Sequence, residues 1–240
     1  MQDLDNRNSY IQVEQVQTAS RSFVANVFLW MFMALSVSAL TAWVFANSPS
    51  LFQYLIREGG GLSGLGFIVM FAPLGLVFLM SLGYQRLSAF ALSVIYALYA
   101  VIMGISLSFI LLAYTAESVY ITFGTTAAVF GFMALLGYTT KTDLTKMGSI
   151  LLMALIGIII ASLVNYFMHS SQLAWIINIA GVIIFTGLTA YDVQKIKNMS
   201  AQVEQGTESA NKLTIMAALT LYLDFINLFL FLLRFMGNRK

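Results

Sequence analysis

Seven separate apolar runs punctuate this chain, at 23–46, 64–84, 88–113, 118–139, 147–169, 173–195 and 213–236. A bilayer core of about 30 Å needs roughly 20 apolar residues in a helix, or about ten alternating ones in a barrel strand. Backbone N–H and C=O groups in lipid must be paired within the structure, so runs of this length predict membrane-spanning α-helices. The expected architecture is an all-α membrane protein, a bundle of seven transmembrane helices. Composition agrees: 60% of the 240 residues are hydrophobic and only 9% charged, where a soluble domain carries about a quarter charged. Soluble-enzyme and disordered readings are excluded on that ground. The formal charge is +2 with scattered basic residues, which leaves no footprint for nucleic acid. Without cysteine there is no disulfide, thiol nucleophile or thiolate metal site.

Residues 1–22 are polar and mixed in charge, and read as a cytoplasmic N-terminal tail ahead of a single transmembrane domain over 23–240. The first apolar run starts too late and is too long for a signal-peptide core, despite the small-residue spacing of Val44-Phe45-Ala46, so it reads as a retained helix. Arg57-Glu58-Gly59-Gly60-Gly61 is a loop, Pro73 is expected to kink the second helix, and the polar connector from Lys197 to Lys212 is expected to be exposed. With seven crossings, Arg7, Arg21, Arg86, Lys141, Lys146, Lys195, Lys197 and Lys212 share the N-terminal side. Arg57, Arg234, Arg239 and Lys240 lie on the other. Lys and Arg accumulate on the cytoplasmic side, so the N-terminus is expected there. A re-entrant last segment would return Arg234, Arg239 and Lys240 to the cytoplasm; the length of 213–236 favours a full crossing.

Charge inside the membrane carries the functional signal. A carboxylate at the centre of a membrane helix costs at least about 2.5 kcal/mol on insertion scales, so it faces protein or water rather than lipid. Asp192, near the end of the sixth run, and Asp224, in the body of the seventh, are two such residues. Counted from the expected helix ends at 1.5 Å per residue, their depths differ by about 12 Å or less. Thr220, Asp224, Asn227, Phe231 and Arg234 share one face of the seventh helix, and Asn178, Gly181, Phe185, Thr189 and Asp192 one face of the sixth. Both stripes are expected to face the interior, with Thr189, Thr220, Asn227 and Arg234 as candidate ion-pathway residues. Arg86, at the same end of the second helix, is placed to pair with Asp192. The plainer alternatives are that the carboxylates only bind helices together and that Arg86 only reaches lipid headgroups.

Other chemistry is less well supported. His169 is the only histidine and cannot build a zinc site of the usual kind. Gly104-Ile-Ser-Leu107 lacks the second glycine of an intramembrane serine-protease motif, and Leu221-Tyr222-Leu223-Asp224 lacks the Gly-x-Gly-Asp of intramembrane aspartyl proteases. No enzyme activity and no cofactor are expected. Gly131, Ala134 and Gly157 read as points of close helix contact.

The chain resembles the Bax inhibitor family of membrane proteins, in particular its bacterial branch. The resemblance is carried by Gly137-Tyr-Thr-Thr-Lys-Thr-Asp-Leu144, by Ala154-Leu-Ile-Gly157 with Ala161-Ser-Leu-Val-Asn165, and by Gly187-Leu-Thr-Ala-Tyr-Asp-Val-Gln-Lys-Ile-Lys197. It continues in Ala218-Leu-Thr-Leu-Tyr-Leu-Asp-Phe-Ile-Asn-Leu-Phe229 with Leu233-Arg-Phe235. The resemblance implies a seven-helix fold with the C-terminal helix central and a pH-sensitive calcium leak governed by Asp192 and Asp224, with Arg86 latching the closed state. Calcium ions and protons are then the partners, beside the bilayer itself, and ionised Asp192 and Asp224 are transient ligands for Ca²⁺. Two rivals stand beside this reading: a cation/proton exchanger on the same carboxylates, and a non-conducting scaffold that docks on another membrane protein, such as a quality-control protease.

Overall fold

In the computed structural model, residues 2–57, 59–201, 203–204 and 206–240 are described, with side chains from Ser20 onward. Seven long helices follow one another: α1 (Gln2–Asn47), α2 (Gly64–Gly83), α3 (Ala89–Ala113), α4 (Ala116–Thr139), α5 (Thr145–Met168), α6 (Ser171–Ser200) and α7 (Glu208–Met236). A short helical turn, Pro49–Phe52, and a 3₁₀ turn, Gln53–Leu55, join α1 to α2. All seven are long and apolar enough to cross a membrane, α1 from Ser20 onward. The polar N-terminal stretch continues α1 back to Gln2; the surroundings of its side chains lie outside the described residues.

The helix starts follow from local chemistry. The first N–H groups of a helix have no carbonyl partner within it, and Ser and Thr supply one by accepting from the amide three residues on. Ser63, Ser88, Thr115, Ser170 and Thr207 each cap the helix that follows, receiving the amides of Gly66, Ala91, Ser118, Leu173 and Ala210. At the start of α5, Asp143 takes the amide and hydroxyl of Thr145 on one oxygen, at 2.9 and 2.6 Å. That chain of donors holds its exposed carboxyl below the usual Asp range, the Thr145 hydroxyl first and its amide second, with Lys146 assisting. The end of α5 is set by His169, whose left-handed backbone (φ 53°) turns the chain and lets its N–H reach the Asn165 carbonyl. Pro73 sits inside the unbroken span of α2.

Packing makes α7 the axis. It contacts α1, α3, α4 and α6, while α2 packs mainly on α3, and α5 on α6. In its most apolar stretch 67% of α7 is buried, against 6% for α5, which packs on α6 by one face and turns the rest outward. At mid-bundle a hydroxyl junction joins three helices. Ser38 of α1 donates to the Ala100 carbonyl of α3 (2.7 Å) and, with that donor committed, accepts from Tyr222 of α7 (2.8 Å). The Tyr222 ring meets those of Tyr99 and Tyr96 edge-on, with centroids 5.3 and 6.5 Å apart.

Glycines bring backbones together, though not at the positions anticipated. A Cβ on Gly104 would strike the Ser38 backbone, and one on Gly137 the Ala190 carbonyl. Gly131 and Gly157 have open space around them instead, because they face away from the neighbours that α4 and α5 actually have. Ala134 is buried.

The last helix runs the full length of the bundle. Residues after Met236 run beside the α3–α4 turn: the Thr115 amide donates to the Asn238 carbonyl and the Lys240 amide to that of Ala113, both at 3.0 Å, and the Asn238 amide to Ser118 Oγ. That turn lies at the opposite end of α4 from the α4–α5 corner at Thr140–Leu144.

Candidate functional site

Asp192 lies well inside α6, with two further turns of helix after it, and is 9% exposed; Asp224 lies in the body of α7 and is 4% exposed. The two helices run antiparallel, and their contact register is read from two pairs. Phe185 of α6 stacks on Phe231 of α7, with centroids 5.8 Å apart. Seven residues on in α6 and seven back in α7, two turns in each case, the carboxyl of Asp192 meets that of Asp224 within hydrogen-bonding reach. The Phe231 ring seats against Gly181, where a Cβ would collide with it, so the glycine lets the helices close to this register.

Counted as two ionised carboxylates, the pair is unsatisfied: Asp224 Oδ2 is buried with no hydrogen-bond donor among the described residues. A proton held between the two carboxyls would give the pair the donor it lacks as two ionised groups. The charged neighbour of Asp192 on its own helix is Lys195, one turn on, whose ammonium stands 5.9 Å from the centre of the Tyr191 ring.

The remaining predicted residues divide. Thr189 is fully buried on the Asp192 face and donates to the Phe185 carbonyl (2.8 Å). Thr220 and Asn227 are half-buried and bond back to their own helix, at the carbonyls of Met216 and Leu223. Arg234 is exposed, 5.9 Å from the Phe231 ring centre. So the α6 stripe faces inward as a whole, whereas the α7 stripe leaves the interior at its Arg234 end.

Arg86 is not brought to the pair. It is exposed in the turn between α2 and α3, and the one ion pair among the described residues is Lys212–Glu208 at 3.6 Å. The reason lies in the packing, since α2 rests on the outer side of α3, away from the α6–α7 contact. Nor does a third carboxylate or histidine join the two aspartates among the described residues, so the protein offers a cation one pair of carboxylates at this point.

One buried residue that sequence reasoning passed over is Gln194. Its carbonyl oxygen accepts the Leu144 amide and its amide donates to the Thr142 carbonyl, both at 2.8 Å. A turn further, Lys197 donates to the Tyr138 carbonyl (2.6 Å) and lies 5.0 Å from the centre of that ring. The available signal was a glutamine two residues from an intramembrane aspartate, in a span whose hydropathy ends at Lys195.

These features define a multi-pass α-helical membrane protein with a carboxyl pair buried between its last two helices. The family described as "Inhibitor of apoptosis-promoting Bax1" matches residues 20–240. The chain therefore belongs to the Bax inhibitor family. It is similar to the inner membrane protein YbhL of Escherichia coli (strain K12), with 45% identity over 229 residues, 95% of this chain and 96% of that one. A protein of Borreliella burgdorferi is 44% identical over 229 residues, 95% of this chain and 97% of its own. Protein RP147 of Rickettsia prowazekii is 42% identical over 220 residues, 92% and 91% of the two chains.

Proposed function

We propose that this protein is a pH-sensitive cation leak of a bacterial inner membrane, passing calcium, with Asp192 and Asp224 as its proton-sensing gate. The observation that carries the reading is the meeting of the two carboxyls inside the bundle, one oxygen of Asp224 having no donor unless a proton is shared. In the shared-proton arrangement the two side chains tie α6 to α7. When the proton leaves, two like charges face each other at low dielectric and repel, and their oxygens become hard ligands suited to Ca²⁺. Two carboxylates without further protein ligands bind weakly, as conduction requires.

In this reading Arg86 is not the partner of the resting pair, and any latch it makes belongs to another arrangement of the helices. The N-terminus faces the cytoplasm, following the Lys and Arg bias, and no catalysis or bound cofactor takes part.

The test is dye-reported calcium flux into proteoliposomes over a pH series. Wild type should leak in a pH-dependent manner, while Asp192→Asn and Asp224→Asn should each flatten that dependence. A pH response unchanged in both variants would move the gate elsewhere. Stoichiometric counter-movement of protons would turn the reading into an exchanger. A scaffold is the other reading, favoured by the outward-facing α5; it would pass no ions and would co-purify with a membrane-protein partner.

A further inference from the structure

We propose that Gln194 is a positioning residue for the carboxyl pair: by clamping α6 to the α4–α5 corner it fixes the rotation at which Asp192 meets Asp224. The inference rests on the gating reading given above and names how that gate is held.

Asp192 and Gln194 stand two residues apart, about 200° around a helix, so they point to nearly opposite sides of α6. One side meets α7 through Asp224. The other meets the α4–α5 corner, where the Gln194 amide forms a two-point clamp on the backbone of Thr142 and Leu144. A single hydrogen bond permits rotation about itself; two on one planar amide, to groups two residues apart, do not. The same side of α6 is fastened again where Lys197 reaches the Tyr138 carbonyl, and where Gly137 admits the Ala190 carbonyl.

Turning α6 by one residue position, about 100°, would carry Asp192 out of reach of its partner, and the clamp opposes that turn. It also decides which parts move together. The corner, the end of α4, the start of α5 and the Asp192 turn of α6 are fastened to one another, and α7 packs against that unit through Asp224. Each Gln194 contact is with backbone, so the clamp carries no charge of its own. The ionisable groups along this stretch are Asp192, Lys195, Lys197 and Tyr191 on α6, Asp224 from α7, Tyr138 on α4, and Lys141, Asp143 and Lys146 at the corner, of which Asp143 lies between the two clamped residues.

The test uses the full chain, which has no cysteine and so accepts labels only where they are introduced. Spin labels at Lys141→Cys and Asn198→Cys report the corner against α6, and infrared difference spectra report the carboxyl stretch of the pair, assigned by its loss in Asp192→Asn. Gln194→Met, similar in size but without the amide, should broaden the 141–198 distance distribution and shift the carboxyl band. It should also raise the proteoliposome calcium leak at fixed pH by about three- to tenfold, the factor carried by one net hydrogen bond. An unchanged distance distribution and band would overturn the inference even if the aspartate variants abolish gating. A shifted band and broadened distances would uphold the clamp even if no variant conducts. Should Gln194→Met fail to fold, Gln194→Asn keeps the amide but is too short to reach both partners. It should broaden the same distances, and a wild-type result there would equally overturn the proposal.

Discussion

Removing one hydroxyl from the junction of α1, α3 and α7 should cost more than removing its partner, and removing both should restore part of the loss. Tyr222 donates to Ser38, which donates its own hydrogen bond to the Ala100 carbonyl. Tyr222→Phe keeps the ring against Tyr99 and Tyr96 and forfeits one interhelical bond, worth about 0.6 kcal/mol and at most about 1.7 in a membrane bundle. Ser38→Ala forfeits that bond together with the one to the Ala100 carbonyl, and also strands the buried Tyr222 hydroxyl, which has no other partner among the described residues. A stranded hydroxyl adds roughly 1–3 kcal/mol. Adding Tyr222→Phe to Ser38→Ala deletes that stranded group, so the double variant should be more stable than Ser38→Ala alone. The assay is reversible unfolding of purified protein in mixed micelles at rising dodecyl sulfate, followed by tryptophan fluorescence, with the four proteins closing a double-mutant cycle. If the double variant loses the sum of the two single losses, the hydroxyls do not depend on one another and the reasoning fails.

Gly181→Val should lower stability by about 1–3 kcal/mol by overpacking, because its side chain occupies the seat of Phe231; Phe231→Ala in the same chain should recover part of the loss in the same unfolding assay. Asp143 should titrate below the ordinary Asp range in a carboxyl-resolved NMR titration, and Thr145→Val should return it towards that range. Its folded value lies below its unfolded one, so the stability it adds is present above the unfolded value and fades as pH falls through the folded one; Asp143→Asn should remove that acid-side slope. Single cysteines at Lys141 and at Arg239 should be labelled by an impermeant thiol reagent from opposite sides of intact vesicles, and labelling from one side would contradict a full crossing by α7.

The spans and the meeting of the two aspartates were legible because both follow from free energies that the residues carry with them. An apolar run has one cheap place to go, and a carboxyl in it must find protein. The register was less legible. Hydropathy ended the sixth span at Lys195, but α6 continues to Ser200. Gln194 and Lys197 are scored against water or lipid, whereas here they find backbone carbonyls and an amide on the α4–α5 corner. The connector to α7 is accordingly shorter than Lys197–Lys212, since α7 already begins at Glu208. Arg86 shows the converse limit. Its end of the bundle could be inferred from helix order, but its neighbours depend on which face of α3 receives α2, and the motif around it says nothing of that. Gly131 and Gly157 were misjudged for the same reason, as smallness permits a close approach without saying which helix arrives.

The placement of α7 has a consequence for how the protein is made. Synthesis is vectorial, and α7 is the last of the seven spans to leave the ribosome. The six before it enter the bilayer while their common axis is still missing, with the faces of α1, α3, α4 and α6 that will receive it turned to lipid or to whatever machinery shelters them. Asp192 waits in that interval without its partner, so neither the finished bundle nor the carboxyl pair can form before α7 has been made.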